Sequence, residues 1–143
     1  MANIVPDSFK TDLLGGVFDF DSSGGSSFKL ALYTSQAGFS TSTTAYTTSN
    51  EVLSAGTNYT AGGNALTNNG VAIASNIAYV DFADLTFTSV TLSATGALIY
   101  KASSNEAVLV LDFGGTKTAT NGDFVIQFPT ADSTSAIIRL GDA

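Results

Sequence analysis

The chain has 143 residues, a length that fits one domain able to bury roughly two-thirds of the surface its unfolded form would expose. It contains no cysteine and no histidine, which excludes a thiol nucleophile, a Cys/His zinc site, an imidazole base and a Ser/His/Asp triad. Twelve acidic residues against five basic ones give a net charge of −7, so a nucleic-acid backbone would be repelled over most of the surface.

Charged residues make up only 12% of the chain, against about a quarter in typical soluble domains, and Ser, Thr, Asn, Gly and Ala take their place. Such a surface suits a subunit packed against others, and equally a quiet Ser/Thr-rich β-sandwich. The opening MANIVPDSFK lacks the basic and apolar regions of an export signal, and no run reaches the ~18–20 apolar residues of a membrane span. Synthesis in a cytoplasm and no membrane partner are therefore expected.

Residues 1–27 read as an arm and residues 28–143 as a β-sandwich domain. After Pro6, Asp7 or Ser8 is placed to cap a short helix, with Phe9, Leu13 and Leu14 on one side and Gly15-Gly16 ending it. So short a helix has to dock on something. Val17, Phe18 and Phe20 extend the apolar content, and the run from Asp21 to Ser27, DSSGGSS, reads as a flexible tether. Two arrangements fit this composition: an arm reaching across an assembly, and a flap over one end of its own sandwich. In the first, Phe9, Leu13, Leu14, Phe18 and Phe20 are the expected interface residues.

Phe28, Leu30 and Leu32 alternate with Lys29, Ala31 and Tyr33, the period of a strand. Residues 35–70 are polar, with Phe39, Tyr46, Val52, Leu53, Tyr59 and Leu66 scattered among Thr, Ser, Asn and Gly. A loop of this length is expected to be pinned by its aromatics, and to carry a short strand near Asn64 to Thr67. Phe39, Tyr46 and Tyr59 are also the loop's candidates for contacts with other subunits.

Strands are then expected at Val71–Ala74, Ile77–Phe82, Leu85–Ser93, Phe124–Phe128 and Ala136–Leu140, around a central hairpin from Gly96 to Gly115. Because both faces of the second hairpin strand are apolar, it should lie inside a stack of two sheets. The apolar phase shifts between Leu85, Phe87 and Val90, Leu92, which predicts a bulge near Ser89. Gly114-Gly115 and Asn121-Gly122 read as turns, and the last strand as a short edge with Arg139 pointing out. Short strands at this spacing predict an antiparallel β-sandwich of jelly-roll or Ig-like type, with a short N-terminal helix and extended arm.

Three acidic groups invite a functional reading and favour a structural one. Asp19 and Asp21 have the alternation of calcium-loop ligands without the later acidic ligand such a loop needs. Asp81 and Asp84 are a pair of the type glycosidases use, in a chain without Trp and with nothing to make them converge. Asp112, on an apolar strand, is expected to be partly buried and paired with Lys101 or Lys117. No catalytic residue and no cofactor is expected.

The runs SFKLALYT, TTAYTTSNEV, the spacing of Gly56, Tyr59, Gly62 and Gly63, AYVDFADLTF, GALIYKASSNEAVLVLDFGG and FVIQFPTAD, with the opening MANIVPDSFKTDLLGGVFDF, together resemble a family of virion structural proteins of tailed bacteriophages. The Ser-Gly stretch at 21–27 is longer than the usual link into SFKLALY. The resemblance implies a head decoration (cement) protein on the virion surface, assembling as a homotrimer, with the major capsid protein as partner. Alternatives are a tail, collar or baseplate component and a carbohydrate-binding host-adhesion module, the latter disfavoured by the lack of Trp.

Overall fold

The computed structural model describes residues 2–141. Helix α1 (Asp7–Leu14) precedes seven strands: β1 (Phe28–Tyr33), β2 (Asn64–Ala65), β3 (Asn68–Ala74), β4 (Ile77–Phe82), β5 (Leu85–Lys101), β6 (Ala107–Ile126) and β7 (Ile138–Leu140). The strands pair antiparallel in two sheets, one ordered β2-β1-β5-β6 and the other β3-β4-β7. The expected all-β, two-sheet architecture with a short N-terminal helix is thus present.

The expected central hairpin is the inner half of a longer one, since β5 runs for 17 residues and β6 for 20. The predicted bulge is there: Ser89 has φ 53°, and the register shifts between Phe87 and Val90. Gly114-Gly115 and Asn121-Gly122, expected as turns, lie inside β6. Gly114 and Asn121 do have positive φ, 74° and 46°, but the chain kinks and continues. Residues 113–116 are spliced in opposite Thr95, because pairing passes from Gly96↔Asp112 to Ala94↔Lys117. A positive-φ residue bends the backbone locally; whether the chain reverses depends on the strand opposite, and here β5 recaptures it.

Both faces of the larger sheet are buried over β1 and the tip half of the β5–β6 hairpin, as the apolar pattern there requires. Leu30, Leu32, Ala97, Ile99, Leu109 and Leu111 face the main core, while Ala31, Tyr33, Leu98, Tyr100 and Val110 face the other way. A stack of two sheets was expected to cover both, yet the second cover is the loop of residues 34–63. Phe39 packs edge-on against Tyr33 at 4.8 Å, and Tyr46 stacks on Tyr100 at 4.7 Å. The loop aromatics pin it as predicted, and β2 falls where the short strand was placed.

The N-terminal segment folds as a flap on its own sandwich. Pro6 occupies the helix N-cap, so neither Asp7 nor Ser8 caps it; Asp7 pairs with Lys10 at 3.0 Å, and the Ser8 hydroxyl donates to the Thr43 carbonyl at 3.1 Å. Phe9, Phe18 and Phe20 are buried in the main core. Phe20 lies parallel to Phe28 at 4.8 Å, and Phe18 meets Phe9 at 5.1 Å. Leu13 packs partly against the same core, whereas Leu14, five positions after Phe9, rotates off that face and is 82% exposed. The presumed tether is a closed turn: the Ser26 N–H donates to the Asp19 carbonyl at 2.8 Å, and the Asp19 N–H to the Ser26 hydroxyl at 3.0 Å.

This packing separates two neighbouring apolar residues by their energetic weight. Phe20→Ala is expected to cost ~3–5 kcal/mol through the cavity it opens, and Leu14→Ala no more than ~0.5 kcal/mol. Urea unfolding midpoints of the two variants check this.

Candidate interaction surface

Between Lys29 and Asp81 the only charged residue is Glu51, and it is buried, at 7% exposure. Its carboxylate accepts three hydrogen bonds: from the Tyr46 hydroxyl at 2.7 Å, the Tyr59 hydroxyl at 2.8 Å and the Gly62 N–H at 2.6 Å. The Tyr59 hydroxyl in turn accepts the Leu32 N–H at 3.0 Å, and the Tyr100 hydroxyl donates to the Gly62 carbonyl at 2.6 Å. Tyr33 donates to the Thr47 carbonyl at 2.6 Å. Among the described residues no ammonium or guanidinium reaches ion-pair distance of Glu51. Its charge is held by charge-assisted hydrogen bonds alone. Burial, with the Glu51 charge adding to it, raises the hydroxyls of Tyr33, Tyr46, Tyr59 and Tyr100 above their ordinary value.

The three loop candidates therefore spend most of their ring area inside the chain, Phe39 and Tyr59 buried and Tyr46 half-buried. The other candidate groups are likewise taken up locally. The Asp19 carboxylate accepts the Asp21 N–H at 3.0 Å, the geometry of a turn. Among the described residues no group of three acidic side chains is arranged to hold a metal ion. Asp81 accepts from the Asn69 amide at 2.7 Å and Asp84 from the Phe128 N–H at 2.9 Å, so the two carboxylates serve different neighbours. Asp112 is half-buried as expected, but Lys101 turns away and donates to the Val17 carbonyl at 2.7 Å, while Lys117 is exposed. The Gly114 N–H, 3.0 Å from Asp112, holds that carboxyl below its ordinary range.

Of the large apolar side chains that stay outward, Leu14 and Leu53 lie outside the sheets, and Val71, Ile73, Val125 and Leu140 lie on their edge strands. The larger sheet ends at one edge in the two-residue β2 and at the other in β6, where Ile4 bonds to Val110 through its N–H and its carbonyl, both at 2.9 Å, and among the described residues no backbone partner reaches the outer side of residues 113–126. The smaller sheet ends in β3 and β7. Among the described residues no hydrogen bond reaches the outer backbone of Val71–Ala74 or of Ile138–Leu140. Pairing aligns Val71, Val80 and Ile138 in one row across a face of this sheet, and Ile73, Ala78 and Leu140 in the next. The first row reaches the core at Val80, while the second is open, with Ile73 73% and Leu140 58% exposed. Beyond Leu140 a groove of about 490 Å3 separates β7 from α1, walled by Leu13, Leu14 and Ile138 and rimmed by Lys10 and Arg139.

Sequence reasoning found the β7 edge but missed Glu51 and the exposure of Val71 and Ile73. A lone acid between two tyrosines in an otherwise uncharged stretch was the available signal for Glu51. Val71 and Ile73 carry none, because their alternation is that of a core strand. No family model, characterised protein or solved structure matches the chain. No helix among the described residues is long and apolar enough to cross a membrane.

Two outcomes follow from the Glu51 cluster. Glu51→Ala strands two hydroxyls and an N–H and is expected to destabilise by roughly 2–4 kcal/mol, with Glu51→Gln costing less because its carbonyl still accepts; urea unfolding reads both. The tyrosine hydroxyls release protons at higher pH in the fold than in the unfolded chain. Their contribution to stability is therefore fully present below pH 10, the unfolded value, and is lost as pH rises above it. Unfolding midpoints and tyrosinate absorbance, followed together through that range, test the sign.

Proposed function

We propose that the protein is a virion structural component that decorates the outer surface of a phage head and stabilises the shell against the pressure of packaged DNA. The observation that carries this reading is the ordered set of motifs from SFKLALYT to FVIQFPTAD, whose resemblance to phage virion proteins spans nearly the whole chain. The sparse charge supports it, as does the commitment of the buried polar side chains to holding the fold rather than to an open reactive site. Assembly as a homotrimer on the major capsid protein belongs to the same proposal.

The mechanism is mechanical. Each subunit buries apolar area against the shell, worth roughly 25 cal/mol per Å2, and contacts repeated over a lattice add as avidity. With the aromatic rings of the N-terminal flap turned inward, the shell contact falls to apolar side chains that stay outside, such as Leu53 and Val125, 76% and 56% exposed.

Quantitative mass spectrometry of purified virions, paired with a cryo-EM reconstruction, tests the reading. Decoration requires copies in the hundreds, arranged as clusters on the outer shell. A copy number of about a dozen, with density only at the tail vertex, would move the protein to a collar or baseplate.

A further inference from the structure

We propose that β3 of one molecule docks along the open edge of β7 in a second copy of this chain, so that the three-stranded sheet continues head to tail from subunit to subunit. This stands on the geometry of the smaller sheet and does not depend on a virion role.

The fold treats its two sheets differently. The larger one has its β1 edge covered by β2 and by Val52, and the start of its β6 edge covered by Ile4 and Thr44, whereas among the described residues neither Val71–Ala74 nor Ile138–Leu140 of the smaller one has a backbone partner on its outer side. Natural edge strands are guarded by lysine, proline, inward charges or bulges. β3 reads NNGVAIA; its register shifts between Asn68 and Gly70, but from Val71 on it carries no bulge, charge or proline, and Val71, Ala72 and Ile73 are exposed on both faces. It is a strand prepared for pairing on its outer side.

The β7 edge has the matching shape. Ile138, Arg139 and Leu140 alternate in face, yet all three line the groove, so the groove runs along the edge of the strand. Its floor is Val108 and Leu109, and Leu13 and Leu14 form the far wall. A strand laid there extends the ladder through its backbone and buries apolar side chains between Leu14 and Leu140. The phase agrees as well: Val71 and Ile73 share a sheet face with Ile138 and Leu140, so joining the edges continues one apolar surface.

Charge selects this pairing over a symmetric one. The groove rim carries Arg139, whose guanidinium donates to the Thr134 carbonyl, and Lys10, which is paired with Asp7. At the opposite edge, Asp81 sits one strand in from β3, opposite Gly70. The turn holding Asp19 and Asp21 reaches Gly70 through Ser22. Pairing β3 with β7 brings this acidic border toward Arg139, the rim cation that among the described residues is in no ion pair. Pairing β7 with β7, or β3 with β3, would set like charges together.

Light scattering on size-fractionated protein over a concentration series tests this, with Ile73→Lys and Leu140→Lys as probes. Both positions are exposed, so each variant should keep the wild-type circular dichroism; threonine at the same position replaces lysine if it does not. Wild type is expected to associate, and each variant alone to associate at least about tenfold more weakly, a cost of ~1.4 kcal/mol. The deciding sample is their equimolar mixture: Ile73→Lys keeps an intact groove and Leu140→Lys an intact β3, so the two should form a one-to-one heterodimer. A wild type that stays monomeric at every concentration, or a mixture no more associated than its components, would overturn the proposal.

Discussion

A buried carboxylate without a counter-ion is expensive, several kcal/mol after relaxation, and everything around Glu51 is arranged to offset that cost. Its three hydrogen-bond donors come from Tyr46, Tyr59 and Gly62, three points of one loop, so satisfying the charge fixes the loop's path. The same groups fasten the loop to the sheet, Tyr59 through the Leu32 N–H and Gly62 through Tyr100. Gly63 completes the approach. Its φ is 77°, and a methyl group there would collide with the Leu30 carbonyl, so only glycine lets the loop lie this close to β1. The outcome is a polar layer that does the work of a third sheet over Tyr33, Leu98 and Val110.

On the opposite face the cover is shared. The smaller sheet delivers Val80 and Phe82 to the core, but its three strands are too few to span the four-stranded sheet beneath. The space is filled by rings from the N-terminal flap. Phe9, Phe18, Phe20, Phe28, Phe82 and Phe128 form a chain of contacts at centroid separations between 4.8 and 6.5 Å. Aromatic area supplied from residues 9–20 makes up for strand area the small sheet lacks. The same imbalance leaves the outer strand of the β3–β4 hairpin without a cover, which is why Val71 and Ile73 stay in water while Val80, opposite Val71, does not.

Much of this was legible in the sequence where the signal is local. The period-two pattern placed β1, the spacing of short apolar runs placed β4 and the Val71–Ala74 part of β3, the phase shift gave the bulge at Ser89, and the run ending at Leu140 gave a short edge. What failed depends on long-range partners. The dipeptides at 114–115 and 121–122 carry the dihedral preferences of turns, and only the length of β5 opposite them makes them bulges. The rings of the flap were correctly read as needing to dock, but composition says nothing about whether the receiving surface belongs to the same chain. Glu51 was invisible because polar loops ordinarily keep their acids in solvent; its burial follows from where Tyr46, Tyr59 and Gly62 come together in space.

The low charge content takes on a specific meaning once the edges are located. A chain with few lysines has little to spend on guarding strands, and its one arginine, Arg139, sits on the β7 edge while β3 has no basic residue at all. Ser and Thr keep such a surface hydrated without repelling a second copy, so association is opposed less by electrostatics than in a typical soluble domain. Because the two open edges of the small sheet differ in length, charge and depth, a contact between them is directional. Each subunit offers one strand and one groove, and every subunit is satisfied only when the rotation between neighbours closes a ring. An unclosed array would keep one unguarded strand at its end, the same liability the isolated chain has.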